Sequence, residues 1–377
     1  MLSLHVDTET TWRGGPNQVL YTVTGLRAAG HRAVLAADPG SELFRRMREG
    51  VDLVPLASRA EIDMSAAWSL SRVLKQIRPD IIHAHEPRAV AIATLALSIA
   101  APRPRPPFVV SHRTETRLPH TSFGRWTVSE VDCYVAKSRV LAGKLRSDGV
   151  PAARTEVIHD GVDVERIERV QAANLHADFY LPTQAPIVGT VARLVPQKGL
   201  HHLVNAAALA MRAVPDARAI IVGDGPLRPA LEKQIHEHHL ERHIFLAGFR
   251  LDVVEVTKAF DVFAMSSLSE DVSTALVDAM AAARVSVATN VGGIPEVAVD
   301  GETAFLVPAR DEEAMAQRIV QLLKDEALRT RMGQAALVRA RDLFRVERMV
   351  GETIAVYERL LNSTARTGTT RSAQGTL

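Results

Sequence analysis

Ile187-Val-Gly-Thr-Val-Ala192 runs directly into Arg193-Leu-Val-Pro-Gln-Lys198-Gly199, and a helical pattern follows from about Leu200. This reads as a strand, a loop carrying two cations, and a helix start. The strand is almost wholly apolar, as a strand covered on both faces must be. The same alternation recurs in both directions. Toward the N-terminus the strand-like runs are Met1–Asp7, Ala33–Ala36, Asp80–His83, Phe108–Ser111, Cys133–Ala136 and Glu156–Ile158. Toward the C-terminus they are Ala219–Val222, Ile244–Ala247, Val262–Met265 and Ser286–Thr289. Between them lie segments with apolar spacings of three and four, such as Val19, Leu20, Val23 and Leu26. Strands alternating with helices predict α/β architecture with parallel sheets and helical crossovers.

At roughly 100–200 residues per domain, 377 residues predict two domains. The pattern restarts near Ile187 after a polar stretch with two prolines. The expected division is 1–172, 173–345, a C-terminal helix over 346–362 and a tail over 363–377. Ser, Thr, Gly and Arg dominate the tail, which predicts disorder. Val346, Val350, Ile354, Tyr357 and Leu361 recur at amphipathic spacing in the helix.

Composition excludes several classes. Hydrophobic residues are 47 % and charged residues 23 %, with a net charge of +2, too even for a nucleic-acid binder. Cys133 is the only cysteine, which excludes an internal disulfide and a multi-cysteine zinc site. The N-terminus lacks the basic and apolar regions of a signal peptide. The apolar stretch Ala89–Ala101 falls short of the ~20 residues of a spanning helix and predicts a buried one. Cytoplasmic residence is expected, free or at the inner face of the membrane. Arg45, Arg46, Arg48, Arg103 and Arg105 are the groups for peripheral contact with anionic lipid.

Four motifs carry chemistry. In Arg13-Gly14-Gly15-Pro16 a helix is expected to open at Pro16, and the glycines let a phosphate approach the backbone at a helix N-terminus. Taken alone, the same residues read more readily as an ordinary strand-to-helix turn. Arg193 and Lys198, at the carboxyl end of a strand, form a diphosphate clamp or else a solvated basic loop. Gly223-Asp-Gly225-Pro-Leu-Arg228 mimics a dinucleotide fingerprint, but Arg228 stands at the third glycine, so a tight turn lining a nucleotide pocket is expected. Glu270 and Asp278 lie eight residues apart, the first on a loop and the second early in a helix. They are suited to sugar or ribose hydroxyls, or to complementing a helix dipole. His236, His238, His239 and His243 lack the His-Glu-x-x-His arrangement and read as a solvated face. His83, His85 and His112 follow strands and are placed for a ligand site or for the core. There is no Asp-x-Asp, and no metal site is expected.

Together and in order, these motifs resemble family 4 of the retaining glycosyltransferases over about Leu2 to Leu361. The resemblance rests on Gly14-Gly15, Gly25–His31, Arg78-Pro-Asp-Ile-Ile-His-Ala-His85, Ile158-His-Asp-Gly-Val-Asp163, Arg193–Gly199, Gly223–Pro226 and Gly292-Gly293-Ile-Pro-Glu296. It implies a GT-B fold: two Rossmann-like domains with parallel sheets facing a cleft, and a C-terminal helix returning to the N-domain. The N-domain would bind acceptor and the C-domain the nucleotide-sugar donor. The implied catalytic residues are Glu270, Arg193, Lys198 and His112. Donor binding would fall to Gly14, Gly15, Arg193, Lys198, Gly223, Gly225, Glu270, Asp271, Val272, Ser273 and Asp278. The implied reaction retains anomeric configuration, with a glycan, lipid-linked or small-molecule acceptor and no cofactor or metal. Asp271, Ala283 and Val285 depart from the family's usual residues, and Asp278 replaces a glutamate. These departures leave a second reading, a catalytically weakened binding protein; a nucleotide-sugar epimerase is the third.

Overall fold

The computed structural model describes residues 1–373 except Arg13, Glu49, Arg59, Glu61, Glu115, Thr116, Pro119 and His120, with backbone alone from 364 onward. The chain forms two compact units, Met1–Gly161 with Val346 onward, and Val162–Arg345.

The first unit opens with β1 (Leu2–Asp7), α1 (Gly14–Ala28), β2 (Arg32–Ala37), α2 (Glu42–Arg46) and β3 (Asp52–Pro55). It continues with α3 (Met64–Ile77), β4 (Ile81–Ala84), α4 (Pro87–Ala100), β5 (Phe108–His112), α5 (Ser122–Ser129), β6 (Cys133–Ala136), α6 (Arg139–Ser147) and β7 (Thr155–Val157). The second unit opens with α7 (Val164–Arg169), α8 (Leu175–Asp178), β8 (Ile187–Val191), α9 (Leu200–Ala213), β9 (Arg218–Val222), α10 (Arg228–Glu237) and β10 (Ile244–Gly248). It ends with α11 (Val253–Lys258), β11 (Val262–Met265), α12 (Thr274–Ala281), β12 (Val285–Thr289), α13 (Ile294–Val297), β13 (Ala304–Val307), α14 (Glu312–Lys324) and α15 (Glu326–Leu343). Then α16 (Val346–Ala373) belongs to the first unit again.

Both sheets are parallel. Their orders are β3-β2-β1-β4-β5-β6-β7 and β10-β9-β8-β11-β12-β13. Each order reverses once, between β1 and β4 and between β8 and β11. A crevice opens at such a reversal, outside the carboxyl ends of the strands. The loops after β1, β4, β8 and β11 are therefore where each sheet can hold a ligand. Strands β4, β5, β6, β11 and β12 are buried along their whole length, because helices cover both faces.

The division of the chain differs from the expected boundary at 172/173: it falls at Gly161/Val162. Helix α7 is the reason. Val164 and Ile167 bury themselves in the second unit's core, and the Lys258 ammonium donates to the carbonyls of Ile167, Glu168 and Val170 at the helix end. The polar stretch after it is a loop inside the second unit. The crossing is pinned on the other side by Gln18, whose amide exchanges two 2.9 Å hydrogen bonds with the Gly161 backbone.

Helix α16 packs on α1. An ideal Cβ on Gly25 would stand 2.4 Å from Val350 Cγ2, so the glycine is what lets the two helices meet. Tyr357, fully buried, donates or accepts a 2.5 Å hydrogen bond with His83 Nδ1. The helix runs on to Ala373, so residues 363–373 are helical rather than a disordered tail. Extending an existing helix avoids the nucleation cost, and no proline interrupts these residues. Residues 374–377 lie outside the described residues.

Helix α1 begins at Gly14, not Pro16. Pro16 is its third residue, where a missing N–H costs no intrahelical bond. Arg13 lies outside the described residues. No helix among the described residues is long and apolar enough to cross a membrane.

Candidate ligand sites in the two units

The second unit gathers the cations and acids at its sheet reversal. Arg193 and Lys198 follow β8; Ser267 and Glu270 follow β11. The Lys198 ammonium and the Ser267 hydroxyl both donate to Glu270 Oε2, the latter at 3.0 Å. The Lys198 and Glu270 side chains are 25 % and 14 % exposed, so the pair is shielded enough to hold its geometry. Arg193 is exposed, and among the described residues its guanidinium has no hydrogen bond or ion pair. Of the two cations after β8, Lys198 is thus already engaged and Arg193 is not.

Glycines hold these loops together by close approach. Gly199 adopts φ +57°, and a Cβ there would stand 2.3 Å from the Ser266 carbonyl. Gly223 and Gly225 pack their backbone on Ala192 and Leu194, where a Cβ would meet carbonyl oxygens at 1.9 and 2.6 Å. The Gly223–Gly225 turn therefore buttresses the Arg193 loop. Gly292, at φ +52°, fits against the Glu270 carbonyl in the same way, and Gly293 N–H donates to that carbonyl at 3.2 Å. The glycine pair Gly292-Gly293 thus positions Glu270 and Asp271.

Asp271, Val272 and Ser273 are buried and lead into α12, with Ser273 as its N-terminal cap residue. Asp278 lies in the second turn of α12. Burial raises its carboxyl to about 7, with Arg166 pulling it partly back. No hydrogen bond to its carboxylate is present among the described residues. Ala283 and Val285 lie elsewhere, at the C-terminal end of α12 and the start of β12, roughly 12 Å of helix from the Glu270 loop. These two departures from the family's usual residues therefore lie away from the Glu270 loop. Ala283 occupies the left-handed position after the helix at φ +55°, with the Ala283 and Arg284 N–H groups closing a Schellman motif on Met280 and Ala279. Val285 is core.

The first unit builds a second cluster at its own reversal. Glu86 caps α4: its carboxylate accepts from the Arg88 and Ala89 N–H groups and from both the N–H and hydroxyl of Thr8. This ties the loop after β1 to the loop after β4. Asp7 lies beside it, 2 % exposed; burial raises its carboxyl to about 7, the Glu86 charge adds to that, and the Glu9 N–H and Arg113 oppose it. Arg113 pairs with Asp160 at 3.0 Å, giving the His-Asp-Gly stretch a structural task. His112 ends β5 beside this cluster, 9 % exposed. Gly15 has no atom within 4 Å of an ideal Cβ, so the first turn of α1 is open there, and Gly14 is exposed.

His5, His83 and His85 bring one ring nitrogen each within 4.8 Å of one another, the only such metal-capable trio among the described residues. Their protons are already allocated. Arg113 donates to His85 Nδ1 at 3.3 Å, so His85 carries its proton on Nε2 and donates to His5 Nδ1 at 2.9 Å. His5 then donates from Nε2 to the Ser3 hydroxyl at 3.0 Å. A cation would have to displace the proton shared by His85 and His5. Burial lowers His5 to about 3 and holds His83 and His85 well below the usual imidazole range, so all three are neutral, as the single proton assigned to each of His85 and His5 requires.

Asp7, Glu86, Arg113 and Asp160 were not singled out in the sequence. Their signal was positional: charged residues at or just beyond the carboxyl ends of strands. Of the other histidines, His236 and His238 are exposed and bond Glu241 and Asn205. Arg45 and Arg46 pair with Glu42, and Arg105 with Glu130 and Asp132, which reduces the charge they offer a lipid surface.

The chain matches two family models. Residues 172–339 match the family described as Glycosyl transferases group 1, and residues 12–166 match Glycosyltransferase Family 4. N-acetyl-alpha-D-glucosaminyl L-malate synthase of Bacillus anthracis is 25 % identical over 304 residues, 78 % of each chain. A lipopolysaccharide core biosynthesis glycosyltransferase of Rhizobium meliloti is 28 % identical over 267 residues, 70 % of this chain and 72 % of the relative. Among solved structures, Anabaena HepE in complex with UDP superposes with a TM-score of 0.82 at 21 % identity, covering 95 % of this chain and all of that one. A glycosyltransferase from Rickettsia africae gives a TM-score of 0.84 at 19 % identity, covering 96 % and 98 %.

Proposed function

The chain belongs to the family 4 glycosyltransferases and has their GT-B fold, and on that premise we propose that it transfers a sugar from a nucleotide diphosphate with retention of configuration. The observation that carries the reading is the Arg193, Lys198 and Glu270 constellation at the β8/β11 reversal. Arg193 and Lys198 compensate the charge that grows on the departing diphosphate. Glu270, fixed by Lys198 and Ser267, accepts hydroxyls of the donor sugar, and Asp278 accepts from the ribose. These cations make a resident metal or other cofactor unnecessary for the leaving group. The acceptor hydroxyl attacks the anomeric carbon on the face the diphosphate leaves. The carbon–phosphate-oxygen bond breaks, the new glycosidic bond forms, and the hydroxyl proton passes to the departing phosphate oxygen. Relatives include enzymes of cell-envelope glycans, and such an acceptor fits this chain as well.

A donor screen read by release of nucleotide diphosphate tests the reading. Glu270→Ala and Lys198→Ala should each lower kcat by about 10²–10³-fold, and the product's anomeric proton coupling should match the donor's. Full turnover in both variants, or an inverted product, refutes it. The alternative of a weakened binding protein loses two of its three motivating residues, since Ala283 and Val285 lie at the far end of α12.

A further inference from the structure

The first unit contains a cavity of about 470 Å³. One end is formed by Glu86, Ser111, His112 and Arg113, the polar cluster described above. Most of the rest is apolar: Val90 and Ala91 of α4, Val110 of β5, Phe123 and Val128 of α5, and the ring of Tyr134 of β6. The lining threonines include Thr121 and Thr127, whose hydroxyls are already bonded to the Gly124 backbone. Val110 and Tyr134 are 3 % and 2 % exposed, so their positions are set by the core. A hydrophilic acceptor would leave most of its hydroxyls against the apolar part of these walls without partners. Cavities of this size suit a ligand with a large apolar part and a few fixed polar contacts.

Two further observations say what the apolar part is. Ile62 lines the cavity and is half exposed; close to it in sequence, Met64 and Trp68 share one face at the start of α3 and are also half exposed. Exposed apolar side chains thus stand beside the cavity's Ile62 edge. Arg117 also lines the cavity; it is exposed, and among the described residues it has no hydrogen bond or ion pair. It supplies an unspent positive charge beside an apolar channel.

We propose that the acceptor is an amphiphile with an alkyl chain and an anionic linkage. Its hydroxyl is presented at the His112–Arg113 end, its anionic group meets Arg117, and its chain fills the cavity and leaves over Ile62 toward Met64 and Trp68. This rests on the transferase reading, and it deepens that reading by naming the acceptor class.

Glucosyl alkyl phosphodiesters with four, six, eight and ten carbons, used below their micelle concentrations with the full chain, provide the test. Calorimetry should show affinity rising about fourfold per methylene until the cavity is filled. Ala91→Phe, which places a ring in the cavity, should flatten that dependence. Its folding is checked by the thermal transition and by donor affinity. Should it not fold, Val90→Thr, of equal volume, should weaken the eight-carbon probe several-fold and the four-carbon probe little. Met64→Ser with Trp68→Ser should weaken only the ten-carbon probe. Arg117→Gln should weaken the phosphodiesters several-fold and leave neutral alkyl glucosides unchanged. Affinities of the four- and ten-carbon probes within twofold in the native chain overturn the proposal, as does tighter binding of an aryl group of equal carbon number. Failure of the transferase reading has a separate signature: chain-length-dependent binding with no nucleotide diphosphate released from any donor.

Discussion

Asp278 is a carboxyl group that the fold holds against its own ionisation, and this makes its proposed contact with a ribose measurable. Burial raises it to about 7. A hydroxyl donating to it favours the ionised form, so donor binding must lower the pKa and expel a proton. At pH 6.5 a group with a pKa of 7 is about three-quarters protonated. If the bound donor restores the ordinary carboxylate range, about 0.7 proton leaves per donor bound. Below pH 7 the affinity should then fall toward about tenfold per pH unit. The assay is calorimetry at pH 6.5 in buffers of different ionisation enthalpy. A nucleotide-diphosphate sugar is the ligand of choice, because both phosphates are diesters and lack the ionisation near pH 6 of a phosphomonoester. Asp278→Asn should bind about tenfold more weakly with no proton released. Release below about 0.2 proton from the native chain, with affinity constant from pH 5.5 to 7.5, would refute the assignment. The same carboxyl sets a stability trend. Its folded pKa lies above the unfolded value near 3.9, so the folded chain keeps its proton longer. That contribution is fully present below about pH 4 and is lost as pH rises through about 7.

Three further outcomes follow from the geometry. Ala283→Gly relieves a left-handed alanine at φ +55° and should stabilise by about 1 kcal/mol, raising Tm by about 2–4 °C in a calorimetric scan. Tyr357→Phe removes the partner of His83 Nδ1 and should cost about 1–3 kcal/mol in denaturant unfolding; an unchanged midpoint would show the bond to be energetically idle. Gly292→Ala puts a Cβ 1.7 Å from the Glu270 carbonyl, so donor affinity should drop together with about 1–3 kcal/mol of stability, read by calorimetry and thermal melting of the same sample.

Much of this was legible in the residues because strand and helix periodicities are local. Cys133–Ala136 and Val262–Met265 match the observed strands residue for residue. Of the two missed strands, β3 is only half-buried and ends in Pro55, so it offers no apolar run; β13 is four apolar residues, no shorter than β6 or β11, and was overlooked. The candidate site was legible where a motif places charge after a strand, as at Arg193, Lys198 and Glu270. It was not legible where a residue's task depends on a distant partner. Nothing around Gly223 says that the Ala192 carbonyl will press against it. Nothing in His83-Ala-His85 says that Arg113, on another strand's loop, fixes the tautomers of His85 and His5. The boundary at Gly161 was hidden for the same reason, since Gln18 and Lys258 set it from afar.

That boundary has a consequence for how such a chain can change. The polypeptide leaves the first unit at Gly161 and re-enters it at Val346, and a Cβ on Gly161 would stand 2.8 Å from Val346 Cα. On the other side of the crossing, Val162 N–H donates to the Phe344 carbonyl at 2.7 Å. The second unit is thus a continuous insert whose two ends are neighbours, joined to a host whose two cut ends also touch. Recombination at two nearby points can exchange the whole insert without opening either sheet. On the reading above, donor choice is then a cassette, free to be replaced while the acceptor half keeps its own specificity.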